Sequence, residues 1–134
     1  MLIQTQPVPD FTSGISLELT PQTFFEAYCW VAFSCAMGES QLIEVWPDLF
    51  QAYGGFDPYT VDQYTAPQAQ EWIPSEVALG PSQCALMIQL FGWDQFKQQF
   101  ISTSDPQKSL ATLRSLDWMN VQRLGRLLNM EWAD

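Results

Sequence analysis

Asp57 and Asp62 lie within a few residues of Tyr53, Tyr59 and Tyr64, the nearest this sequence comes to a catalytic constellation. Paired carboxylates beside aromatic rings are the equipment of acid–base and glycosidase-type chemistry. The pattern is weak, because loop carboxylates more often cap helices or sit solvated. Other chemistries lack their residues. The chain has no histidine, which removes Ser-His and Cys-His nucleophile pairs and every histidine metal site. Cys29, Cys35 and Cys84 show no C-x-x-C spacing. Gly54-Gly55 has no lysine nearby and follows a helical pattern, so it is no phosphate loop. The run from Asp57 to Asp62 lacks the alternating acidic ligands of a calcium loop. The expectation is a non-enzyme with no cofactor and no metal.

What remains is aromatic. Trp46, Phe50, Tyr53, Phe56, Tyr59, Tyr64 and Trp72 crowd a stretch broken by proline and glycine, among the carboxylates Asp48, Asp57 and Asp62. These rings suit either of two roles. They can plug the core of a loop-rich domain, or line a groove for a partner segment, since Tyr and Trp tolerate one wet edge and are enriched at interface hot spots. The functional reading is a groove with an acidic rim, which would favour a basic or extended segment of another protein.

Charge narrows the partner. The first 96 residues hold eleven carboxylates and no lysine or arginine; the five cations, Lys97, Lys108, Arg114, Arg123 and Arg126, all follow. Nucleic acid and anionic membrane both require cations in quantity, so neither is an expected partner. The rival to the groove is a decoy whose carboxylates imitate DNA phosphates and block a nucleic-acid enzyme. Arg123 and Arg126 share a helix face and are expected to pair with the acidic body.

The elements that must position these residues read as helices. Thr20-Pro21, Asp57-Pro58, Gly80-Pro81 and Asp105-Pro106 each place a capping residue before a proline suited to the first helical turn. Ala66-Pro67 is a weaker case. Asp117 caps a last helix over about 118–130. Stops are expected at Gly38, Gly54-Gly55 and Gly80. The pattern predicts an all-α fold of five to seven helices around a central helix at about 21–37, apolar on nearly its whole circumference. A second helix covers about 40–53, kinked or restarted by Pro47. Another runs about 82–101 with Gly92 as a kink, and a further one about 106–116.

Residues 1–19 alternate at Ile15, Leu17 and Leu19 and read as an extended N-terminal arm, with 20–134 as one helical domain. The arm, with Phe24 and Tyr28 of the apolar helix, is the expected oligomerisation surface of a homodimer. Cys29 and Cys35 fall in that helix and are expected to be buried free thiols, as in a reducing cytoplasm. No positive n-region follows Met1, so no secretory signal is expected. The longest apolar run, Phe24 to Met37, is too short for a membrane span. Taken together the sequence points to a non-enzymatic interaction protein: an adaptor, a chaperone-like assembly factor or a small structural subunit.

Overall fold

The computed structural model describes residues 19–62, 64–114 and 116–128. Among them the fold is all-α, with helices α1 (Pro21–Ser34), α2 (Glu39–Ala52), α3 (Thr65–Ala69), α4 (Ser75–Phe91), α5 (Trp93–Phe100), α6 (Pro106–Leu110) and α7 (Trp118–Leu127). A single 3-10 turn, Pro58–Thr60, links α2 to α3.

α1 starts where the cap chemistry says it must. The Thr20 and Thr23 side chains each bond the other's backbone N–H, closing a capping box ahead of Pro21. From Phe24 to Phe33 every residue but Glu26 is buried. A helix apolar on all sides needs cover on all sides. α2, the 3-10 turn, α4 and α7 supply it. Phe24 meets Trp93 and Phe96 at ring distances of 5.9 and 5.4 Å. The Tyr28 hydroxyl donates to the Arg114 carbonyl. Phe24 and Tyr28 are therefore core residues with no face left for a second subunit, which corrects their expected oligomeric role. Ile15 and Leu17 lie outside the described residues, and Leu19 packs half-buried against the core.

Two further expectations change. α1 ends at Ser34, and Cys35, expected to be buried, is exposed in the turn that follows. The larger change concerns α4. Gly80-Pro81 does not start a helix; both residues are buried in the interior of a continuous helix from Ser75 to Phe91. Proline there costs one i→i−4 hydrogen bond. The burial of Ala78, Cys84, Ala85 and Ile88 on either side outweighs that loss. Pro47 likewise sits inside α2 without ending it. Gly92 is where the chain breaks, at φ +82°, serving α4 as C-cap and α5 as N-cap.

Glu26 is the one carboxylate on the central helix, and it is half-buried. Desolvation raises its pKa above the ordinary carboxylate value. The folded chain then holds the proton to a higher pH than the unfolded chain does. Stability from this group is full below about pH 4, the unfolded pKa, and falls as pH rises through the folded pKa. Glu26→Gln should therefore be more stable than the parent at neutral pH, with the gain vanishing in acid. Urea midpoints taken across that pH range check the sign.

Candidate functional site

The seven predicted rings do not line one groove. Phe25 and Phe33 of α1 need apolar cover, and the chain after α2 folds back to give it. Gly54, Gly55 and Phe56 have φ values of +60°, +77° and +59°, three left-handed residues in a row. Left-handed backbone suits the two glycines and strains the phenylalanine. The strain is offset by packing: Phe56 stacks on Trp46 at 4.5 Å and on Tyr53 at 5.5 Å. Trp46 also meets Trp30 edge-on at 5.1 Å. Trp46, Tyr53 and Phe56 are thus fully buried, and their place in a partner groove is corrected to a place in the core. Neither Trp46 Nε1 nor the Tyr53 hydroxyl has a hydrogen-bond partner among the described residues. Burial and nearby Cys29 push the Tyr53 hydroxyl far above its usual pKa. Desolvation does the same to the Cys29 and Cys84 thiols, so neither is a poised nucleophile.

The other predicted residues divide between two surfaces. Phe50 and Trp72 pack half-buried against the core. Trp72 also faces an open cleft of about 440 Å³ between α2 and α3, with Asp48, Gln51, Gln68 and Glu71. On the second surface Tyr59 and Tyr64 are 49% and 65% exposed. Asp57 is engaged as the cap of the 3-10 turn, its Oδ1 accepting from Tyr59 N at 3.0 Å. Asp62 Oδ1 accepts from Tyr64 N at 2.8 Å and leaves the residue exposed.

That second surface abuts a feature the sequence reading missed. Leu79, Leu86 and Leu90 of α4 are 42%, 50% and 72% exposed. At 100° per residue they fall within about 40° of one another, opposite the buried face. Gln89 ties the 3-10 turn to this helix: its Nε2 donates to the Pro58 carbonyl at 2.7 Å and the Val61 carbonyl at 2.9 Å. Between turn and helix lies a small apolar cleft of about 320 Å³, lined by Val61, Asp62, Ser82, Leu86 and Gln89. The Ser82 hydroxyl is buried there without a partner among the described residues. On the other flank of the leucine row, Gln83 and Met87 share a cleft of about 310 Å³ with Thr112 and Arg114. The row therefore runs between two banks.

Arg123 bonds more plainly. It reaches Ser34 Oγ at 2.6 Å and Asn120 Oδ1 at 3.3 Å, pinning α7 to α1. No group of three or more His, Cys, Asp or Glu among the described residues could hold a metal ion. No described helix is long and apolar enough to cross a membrane. No family model matches the chain, and no curated protein or solved structure is significantly similar to it.

Proposed function

We propose that this chain is a non-enzymatic protein–protein interaction module, an adaptor, assembly factor or small structural subunit, that holds a partner against α4 and the 57–64 segment. The observation that carries the reading is the leucine row. A helix apolar on its outer face as well as its inner one is made to be covered on both, and contiguous exposed apolar surface marks interaction sites. Tyr59 and Tyr64, exposed on the segment that packs against α4, add two aromatic side chains of the type enriched at interfaces. The site keeps Tyr59, Tyr64 and Asp62 from the predicted groove and replaces its core rings with Leu79, Leu86 and Leu90. Free cysteines at positions 29, 35 and 84 fit a reducing compartment, the cytoplasm.

The test compares the parent chain with Leu86→Asp/Leu90→Asp as bait in lysate of the native host, nuclease-treated and washed at low and high salt. The expected result is one set of proteins kept by the parent at high salt and lost with the double variant. If both baits retain the same proteins, the α4 face is not the interface. If retention collapses at high salt and the captured protein handles nucleic acid, the DNA-mimic reading replaces this one.

A further inference from the structure

The leucine row has the geometry of a helix seat. Its spacings of seven and four residues repeat the apolar period of helices packed side by side. The two flanking clefts give it banks, so an occupant would lie lengthwise along α4. The charged groups on those banks set the occupant's sign. Asp62 lines the near bank, with Asp57 in the turn beside it. Arg114 lines the far bank. Glu76 and Asp117 line the next cleft along α4 on that same side. Four carboxylates against one guanidinium leave the seat acidic. A second copy of the chain would bring the same acidic seat, and a net charge of −10, against its like.

We propose, resting on the interaction reading above, that the seat takes a basic amphipathic helix of a different protein. The apolar stripe of that helix packs on Leu79, Leu86 and Leu90. Its lysines or arginines face the Asp62 bank. The basic flank belongs on the Asp62 side, whose cleft is lined by a carboxylate and no cation, whereas on the opposite side Arg114 offsets part of the charge of Glu76 and Asp117.

Three synthetic peptides of about five helical turns test this. They share a leucine stripe and differ elsewhere: one has lysine and arginine flanks, one glutamate flanks, and one keeps the basic composition with the stripe scrambled. Each is titrated into the full-length, isotope-labelled chain and followed by amide NMR and calorimetry. The basic amphipathic peptide should bind alone, shifting amides of residues 57–64 and 79–91. Leu86→Asp/Leu90→Asp should weaken it by roughly tenfold or more with the melting temperature unchanged. Asp62→Asn, which keeps an oxygen for the Tyr64 cap, should weaken it several-fold at low salt and little at high salt. Arg114→Gln should not weaken it.

Equal binding of the glutamate peptide would overturn the charge assignment and leave the docking face standing. A concentration-dependent dimer that Leu86→Asp/Leu90→Asp dissolves would make the occupant a second copy, and the proposal would be wrong although the face is real. If no peptide binds and the chain stays monomeric, the proposal falls, and the interaction reading falls with it only if the parent and Leu86→Asp/Leu90→Asp baits also retain the same proteins.

Discussion

Trp46→Ala should cost about 3–5 kcal/mol of folding stability, the usual range for deleting a buried aromatic side chain. The indole stacks on Phe56 and meets Trp30 edge-on, so its removal strips two ring contacts as well as apolar area. It also leaves Phe56, held at φ +59°, without one of the two rings between which it is stacked. Tyr64→Ala is the contrast. That ring is 65% exposed, and its loss should change stability by no more than about 0.5 kcal/mol. Urea denaturation of the two variants separates the core ring from the surface ring. A small loss at Trp46 together with a loss of partner binding would restore the groove as first expected. The stated result leaves Trp46 a member of the core and Tyr64 a ring on the surface.

The helix starts were legible because capping is local chemistry. Thr20, Asp57, Asp105 and Asp117 each accept a backbone N–H within the next three residues, a spacing visible in the sequence itself. The central helix was legible because no other arrangement hides so many consecutive apolar side chains. Gly80-Pro81 carries the same local signature as a helix start and means something else. What keeps it inside α4 is burial against neighbours distant in sequence, and no nearby residue reports that. The error hid the exposed leucine row as well. A helix begun after Pro81 omits Leu79, and Leu86 and Leu90 alone make a pair rather than a row. The aromatic cluster failed for a related reason. Composition places seven rings in one stretch, but whether a ring faces in or out there depends on the turn at Gly54–Phe56, which a period-based reading does not follow.

Gly54→Ala tests that turn and should cost about 2–3 kcal/mol. Two effects add. A left-handed residue other than glycine carries roughly 1–2 kcal/mol of strain. The new Cβ would stand 2.4 Å from Thr60 Oγ1, well inside contact distance. Thr60 cannot swing aside freely, because its hydroxyl donates to the Asp57 carbonyl at 2.8 Å. Moving it gives up a hydrogen bond worth about 1 kcal/mol. Thr60→Ala alone should lose that bond and little else. The double variant should then be less damaged than the sum of the two singles, because the alanine at 54 no longer meets the hydroxyl. Strict additivity would mean that the backbone conformation alone sets the cost. The same turn carries Pro58 and Val61 onto Gln89 and so sets the bank on which Asp62 stands. Loosening it should weaken the basic amphipathic peptide without any change on the leucine row, linking the left-handed glycine to the docking face through the 3-10 turn.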